Sequence, residues 1–224
     1  MKFFVITLFP ELITHYMAAS IMGRAQEAGH IELTCINPRD FADNAWKKVD
    51  DTPYGGGSGM VMQCDPVMKA YESILPLPEK SAVLLMTPVG YSFNQPMACA
   101  MAQDLDAVVI ICGHYEGIDA RILELIPNLQ PVCVADFVVS GGELPALMVL
   151  DAVSRHLNGV LGKSDSAEEE SFMGDLLEYP HYTRPQSYRG LEVPEVLLSG
   201  NHQAIADWRH QQRIKLTEQF RPKT

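Results

Sequence analysis

The sequence lacks any apolar stretch long enough to cross a bilayer. In 224 residues, no run approaches the roughly 18 uninterrupted apolar residues that predict a transmembrane helix. The five cysteines are odd in number and show no CxxC spacing, which disfavours a disulfide framework. These absences predict a cytoplasmic protein with reduced thiols and no membrane partner.

Several nucleotide-binding and metal-binding motifs are also missing. No G-x-G-x-x-G opens a helix after an apolar strand, which disfavours a dinucleotide-binding Rossmann domain. P-loop and HExxH patterns are absent, and the seven histidines show no zinc-ligand spacing with cysteine. The sequence therefore predicts no protein-bound metal site.

Positive charge is scarce. The net charge of −11 argues against a general nucleic-acid binder, because phosphate neutralisation requires clustered cations. The deficit is uneven: residues 164–180 hold six acids and no Lys or Arg, whereas residues 202–224 hold five Lys or Arg against two acids. The overall charge weakens the case for a nucleic-acid-binding surface, and the basic C-terminal segment partly restores it.

The chain is rich instead in short apolar runs that end in glycine turns. Residues 82–87 lead into Gly90, residues 107–111 into Gly113, and residues 131–135 into the Gly141-Gly142 pair. Such runs predict buried strands of a parallel sheet, and glycine at a strand end lets the main chain approach a ligand closely. Three such loops predict one site built mostly from main chain.

Helical patterns alternate with these strands, which predicts an α/β fold with a mainly parallel sheet. The long glycine-rich segment 37–60 exceeds an ordinary connection and is a candidate functional loop. Strands are expected over residues 2–8 and 31–36, and helices over 10–29, 66–75, 94–104 and 143–157 and from about residue 201. The predicted domains are 1–160 and 177–224, with an acidic linker over 161–176.

Four motifs give the chain a specific resemblance. They are VDDTPYGGG at residues 49–57, GHYEGID at 113–119, SGGELP at 140–145 and PHYTRP at 180–185. Together they closely resemble the bacterial tRNA (guanine-N1-)-methyltransferases, the TrmD family of the SPOUT class. The similarity runs from Phe3 to about Arg221.

The resemblance implies a fold, a cofactor and partners. The implied fold has a deep trefoil knot in its α/β domain, plus a small helical C-terminal domain that is short for the family. The implied activity is methyl transfer from S-adenosyl-L-methionine to N1 of the guanine next to the anticodon of tRNA, with Mg²⁺ assistance, by a homodimer. Two alternatives remain open: a knotted methyltransferase of another RNA base, or a catalytically weak RNA-binding relative.

The resemblance also assigns cofactor-binding residues at the three strand ends. Ala135 departs from the usual glycine and puts a methyl group where the main chain approaches the cofactor. The predicted cofactor residues are Thr87, Pro88, Gly90, Gly113, Tyr115, Glu116, Cys133, Val134, Ala135, Asp136, Phe137, Val138, Val139, Gly141, Gly142 and Pro145.

Catalysis at guanine N1 requires a base, because N1 carries a proton near neutral pH. The family places an aspartate directly before the Ser-Phe pair that matches Ser171-Phe172, where this chain has Glu170. Glu170 is the predicted base, although the acidic run that contains it is also typical of a solvated linker. Arg155 either ties down the end of its helix or stabilises charge developing on guanine O6. The predicted RNA-binding residues are Ser171, His181, Arg184, Arg209 and Arg213.

Overall fold

The computed structural model describes residues 1–161, 171–172 and 174–221. The chain divides into two compact units, Met1–Gly162 and Lys163–Thr224. Within the described ranges, no helix combines the length and apolar character that membrane crossing requires. The first unit carries the three glycine turns, and the second carries the basic helix.

The first unit is built around a parallel sheet, as the sequence predicts. Its strands are β1 (Lys2–Ile6), β2 (Glu32–Ile36), β5 (Ser81–Ser92), β6 (Ala107–Cys112) and β7 (Leu129–Cys133), and the short strands β3 (Asp50–Asp51) and β4 (Val61–Met62) form a separate antiparallel pair. The strand order is β2-β1-β6-β5-β7, with every neighbouring pair parallel. All six residues of β6 are buried, because this strand lies between two others and has apolar clusters on both faces.

Alternation along β6 divides the core into two apolar clusters. Val108 and Ile110 point into one cluster, and Val109 and Ile111 point into the other. The first cluster includes Phe3 and Leu150, so it lies between the sheet and the long helix that follows the third glycine turn. This packing fixes that helix against the sheet.

The helices of the first unit include those predicted near residues 66–75, 94–104 and 143–157, together with a 3-10 turn and a short helix that the sequence does not predict. They are α1 (Pro10–Met17), α2 (Ser20–Glu27), a 3-10 turn (Pro38–Phe41), α3 (Cys64–Glu72), α4 (Gln95–Asp104), α5 (Ile122–Leu125) and α6 (Glu143–Ser154). The single helix expected over residues 10–29 is wrong, because Ala19 is extended and Ser20 has φ of 52°. Gly23 packs against the Ala18 carbonyl, where a side chain would collide.

The second unit combines a hairpin with helices. Its elements are β8 (Ser187–Tyr188), β9 (Leu191–Glu192), α7 (Glu195–Leu198) and α8 (His202–Phe220). Asn201 caps α8 by accepting a 3.2 Å hydrogen bond from the Ala204 amide, close to the start predicted from sequence. Residues before the hairpin are tied to α8: the Leu177 amide donates to Thr217 Oγ1 at 2.8 Å.

Candidate active site

The three glycine turns meet at one edge of the sheet. Strands β6, β5 and β7 are parallel neighbours, so their carboxyl ends lie side by side. The sequence predicts that β5 ends at residues 87–90. In the structure β5 continues beyond them, and these residues loop out of the strand. Met86 and Tyr91 both pair with Val132 of β7, which leaves the residues between them as a bulge.

The bulge depends on a glycine. A Cβ built on Gly90 would lie 2.6 Å from the Pro131 carbonyl carbon and 2.6 Å from the Val132 nitrogen, so the main chains of β5 and β7 are in direct contact here. The Val89 amide donates to Thr87 Oγ1 at 3.3 Å and closes the turn. Thr87 to Gly90 therefore form a compact loop beside the end of β6.

The loops after β6 and β7 are joined main chain to main chain. The Gly142 amide donates a 2.7 Å hydrogen bond to the Gly113 carbonyl, and His114 forms an isolated bridge with Gly141. A Cβ on Gly142 would lie 2.7 Å from Cys112 Cα and 2.9 Å from the Gly113 nitrogen. This contact brings two of the predicted cofactor segments together.

Gly113 is not tightly packed. The nearest atoms to a Cβ added there would be Ile118 Cγ1 at 3.6 Å, the Met86 carbonyl oxygen at 3.7 Å and Ile118 Cδ1 at 3.9 Å, which are ordinary contacts. Neither packing nor a positive φ explains glycine at this position. A glycine with neither constraint is what close approach of a ligand to the main chain would require.

The glycine-rich segment borders the same loops. The Glu116 amide donates to the Met60 carbonyl at 2.9 Å, and the Met62 amide donates to the Gly117 carbonyl at 2.9 Å. Gly59, with φ of +87°, lies directly under the Glu116 side chain. The loop after β6 is thus held from both sides, by residues 60–62 and by residues 141–142.

Tyr115 adopts a left-handed conformation and is 42% exposed, with φ of 60°. Its hydroxyl accepts a 3.2 Å hydrogen bond from Arg39 Nη2. A non-glycine residue with positive φ is uncommon and is held by its surroundings. Arg39 was not predicted as a site residue, because the signal that finds it is a contact across 76 residues of sequence.

A buried carboxylate lies beneath these loops. Glu143 is only 4% exposed, and it accepts a 2.7 Å hydrogen bond from Thr7 Oγ1. His114 Nδ1 lies 4.0 Å from the same carboxylate, and the His114 ring contacts Phe9 edge to face at 5.1 Å. Burial, followed by the nearby Glu143 charge, raises the pKa of the Cys112 thiol well above its usual value. Thr7 and Glu143 support the site from below.

The segment after β7 presents apolar side chains to solvent. Phe137 is 62% exposed and Val138 is 79% exposed, and Val89 on the neighbouring bulge is 85% exposed. The Phe137 amide donates to the Ala135 carbonyl at 2.9 Å, and Cys133 Sγ contacts the same oxygen at 3.1 Å. The rest of the predicted set here is Val134, Asp136, Val139 and the half-buried Pro145 in the first turn of α6. Such an exposed apolar rim suits an aromatic ligand or a second subunit.

Of the predicted catalytic pair, Glu170 and Arg155, the described residues include Arg155, and it does not lie at these loops. Glu170 lies outside the described residues. Arg155 is half-buried directly after α6, whose 12 residues carry it about 18 Å along the helix axis from the Glu143 end.

The predicted RNA-binding residues all lie in the second unit. Arg209 covers the Tyr179 ring at 4.7 Å, and Arg213 Nε donates to the Leu177 carbonyl at 3.2 Å. Ser171 Oγ accepts from the Glu178 amide at 2.9 Å, and His181 Nε2 lies 2.8 Å from the Glu178 carboxylate. A surface groove is lined by Tyr179, Ala206, Arg209, His210 and Arg213, whereas Arg184 is exposed on the chain outside it.

Comparison with known proteins gives a consistent result over the whole chain. The sequence profile described as tRNA (Guanine-1)-methyltransferase TrmD matches residues 1–224. A tRNA (guanine-N(1)-)-methyltransferase of Clostridioides difficile is 49% identical over 99% of this chain and 96% of its own length. A protein of the same name from Lachnospira eligens is 50% identical over 99% of this chain and 94% of its own. With its glycine loops meeting at one sheet edge, the chain belongs to the TrmD family of tRNA (guanine-1)-methyltransferases.

Proposed function

We propose that this protein transfers a methyl group from S-adenosyl-L-methionine to N1 of guanine 37, next to the anticodon of tRNA. The observation that carries the proposal is the junction of the Gly113 and Gly142 main chains at 2.7 Å, in a chain whose relatives bear this activity in their names. Mass analysis of an anticodon stem-loop after incubation with the protein and the methyl donor tests it. The two alternatives, another RNA base or a weak RNA-binding relative, predict methylation elsewhere or none.

The cofactor would lie against the bulge of β5 and the loops after β6 and β7. The loosely packed glycine at position 113 and the exposed apolar Phe137 and Val138 suit an adenosyl group with its flat, apolar base. Main-chain groups around Gly90 and Gly142 would fix its orientation. When bound, S-adenosyl-L-methionine supplies an activated methyl group on its sulfonium. The contribution of the protein is to orient the reacting atoms and to exclude water.

Proton removal is assigned to Glu170. A carboxylate close to N1 would take the N1 proton as the new bond forms, which typically contributes about 10²–10⁴-fold in rate. The extra methylene relative to the family aspartate lengthens its reach. Arg155 would face O6 and stabilise the negative charge that develops there. A role for Mg²⁺ follows from the family resemblance; in the described ranges, no group of three or more His, Cys, Asp or Glu side chains is arranged to hold a metal ion.

A homodimer would complete the site. Arg155 lies at the end of α6 remote from the glycine loops, so a composite site formed by two copies would let it act near the methyl donor of another subunit. Helices α1 and α6 adjoin, since Tyr16 Oη donates to Asp151 at 2.6 Å, and the exposed residues Leu12 and Tyr16 of α1 and Met148 of α6 form an apolar stripe on this pair of helices. Such a stripe suits a symmetric interface.

The two units would have different functions. The first, with the trefoil knot that the family implies, would bind the methyl donor. The second, a mainly helical domain, would contact tRNA through His181, Arg184, Arg209 and Arg213, with Ser171 near the linker. Arg209 stacks on Tyr179 and keeps its guanidinium at the surface, which suits a phosphate contact. The cytoplasm, where tRNA is modified, is the proposed location.

A further inference from the structure

Residues 44–48 form a tight turn in which Trp46 is exposed to solvent. The Asn44 side chain bonds both main-chain groups of Lys48: its Oδ1 accepts from the Lys48 amide at 2.7 Å, and its Nδ2 donates to the Lys48 carbonyl at 2.7 Å. The Lys47 amide also donates to the Asn44 carbonyl at 3.0 Å. At the tip of this closed turn, Trp46 is 90% exposed.

Folding does not account for this arrangement. Ordering a turn costs conformational entropy, and a tryptophan left in water contributes no burial in return. Tyr54, in the same glycine-rich segment, is also fully exposed. An aromatic residue whose main chain is fixed by a closed turn and whose ring is left uncovered is prepared for a partner, because the main-chain part of its ordering cost is met before binding.

Arg39 connects this turn to the active site. Its Nη1 donates to the Lys47 carbonyl at 3.3 Å, and its Nη2 donates to the Tyr115 hydroxyl at 3.2 Å. One guanidinium therefore joins the base of the turn to the loop after β6 that borders the cofactor space. Trp46 stands at the border of the site, on the side formed by the glycine-rich segment.

We propose that Trp46 is a stacking platform for a nucleobase of the RNA substrate, next to the methylated guanine. The proposal rests on the proposed function for its choice of RNA. Aromatic side chains bind bases through their π-faces, largely without regard to base identity. Lys47 and Lys48 directly follow Trp46 in the chain and pair with Asp40 at 3.2 Å and Asp51 at 3.8 Å, respectively. Exposed pairs of this kind are weak and exchange readily for phosphate.

Binding of an anticodon stem-loop, measured apart from methylation, tests the proposal. Trp46→Ala should weaken RNA binding about 5- to 100-fold, the usual cost of losing one base–aromatic stack. Trp46→Phe should stay close to the unchanged protein, and Trp46→Leu, which is apolar but has no π-face, should resemble Ala. Affinity for S-adenosyl-L-methionine should be the same in all of them. Asn44→Ala, which loosens the turn, should have an intermediate effect.

Fluorescence gives an independent readout, because the chain has two tryptophans. The other, Trp208, packs on Tyr182 in the second unit. In a Trp208→Phe background, Trp46 is the sole indole, and stem-loop RNA should quench its emission at saturation.

Three results would overturn the proposal. The stacking role would be removed if Trp46→Ala kept its RNA affinity and RNA did not quench Trp46 emission in the Trp208→Phe variant. Loss of self-association in Trp46→Ala, seen by light scattering, would assign the ring to contacts between copies of the chain. Absence of RNA binding by the unchanged protein would remove both this proposal and the proposed function. RNA binding that depends on Trp46 without any methylation would leave this inference standing and remove the proposed function alone.

Discussion

Thr7 Oγ1 donates a 2.7 Å hydrogen bond to the Glu143 carboxylate, across 136 residues of sequence. Both side chains are buried, at 0% and 4% exposure. The bond ties the end of β1 to the start of α6, directly under the loops at Gly113 and Gly142. Because a buried carboxylate without a partner is costly, this contact stabilises the structure beneath the candidate active site.

Thr7→Val should therefore destabilise the protein by about 1–3 kcal/mol, because valine keeps the shape of threonine but leaves Glu143 without its hydroxyl donor. Urea unfolding measures the difference. Thr14→Val is the matched control: Thr14 is exposed on α1 and bonds only local carbonyls, so its loss should change stability by less than about 0.5 kcal/mol. Equal losses for the two variants would contradict a special role for the buried bond.

Alanine at two glycines of the candidate site should have different effects, on ligand affinity at Gly113 and on fold stability at Gly142. Gly113→Ala meets only ordinary contacts, so stability should hold while affinity for S-adenosyl-L-methionine falls at least about 10-fold, because the methyl group occupies ligand space. Gly142→Ala collides with the main chain of residues 112–113, so it should destabilise the fold itself. Calorimetry and thermal unfolding separate the two effects. Full ligand affinity in Gly113→Ala would move the cofactor away from this turn.

The exposed stripe on α1 and α6 should hold two copies together. Met148 is 51% exposed, so Met148→Glu should leave the fold intact but place a charge in the proposed interface. Light scattering should show a dimer for the unchanged protein and a monomer for this variant. Leu125→Glu, at an equally exposed leucine of α5, should remain dimeric. A monomeric unchanged protein at micromolar concentration would remove the composite site.

Cations of the second unit should govern the salt dependence of tRNA binding. Arg184→Gln and Arg209→Gln should each lower the slope of log affinity against log salt by about one, if each side chain contacts a phosphate. Arg213→Gln should also loosen the segment at Leu177, because it removes a main-chain hydrogen bond. Arg24→Gln, on α2 of the first unit, is the control and should leave the slope unchanged. An unaltered slope in the variant that combines Arg184→Gln, Arg209→Gln and Arg213→Gln would place the RNA surface elsewhere.

Local patterns predict much of the fold, because they report local physics. The apolar runs give the strands, and Asn94 and Asn201 each accept an amide hydrogen bond at the start of the helix that they precede. The break after Ala18 was not predicted, because the apolar spacing continues through it. It becomes visible only when Gly23 packs against the end of α1.

The candidate site is likewise only partly predictable from local sequence patterns. Glycine at strand ends predicts the loops around Gly113 and Gly142 from sequence. The Thr7–Glu143 and Arg39–Tyr115 contacts bridge 136 and 76 residues, and no local pattern encodes them. The bulge at residues 87–90 was also missed, because it depends on the register between β5 and β7. The roles of the cofactor, catalytic and RNA-binding residues all stay predictions, and Glu170 in addition lies outside the described residues.

Glu170→Gln should keep cofactor affinity and lower turnover at least about 10²-fold, because glutamine keeps the size of the side chain but is not a base. Glu170→Asp should be tolerated, because it restores the shorter reach of the family residue. Glu169→Gln is the neighbouring control and should methylate normally. The opposite pattern, with Glu169→Gln inactive and Glu170→Gln active, would assign the base to the neighbouring carboxylate.

The most direct measurement is nucleoside mass analysis of an anticodon stem-loop transcript after one turnover with S-adenosyl-L-methionine. The transcript carries guanine next to the anticodon, and a matched transcript carries adenine there. The account predicts one methyl group at N1 of that guanine, none on the adenine transcript, and a strongly reduced yield with Glu170→Gln. Methylation of another base, or none by the unchanged protein while it binds both RNA and the methyl donor, would contradict the account.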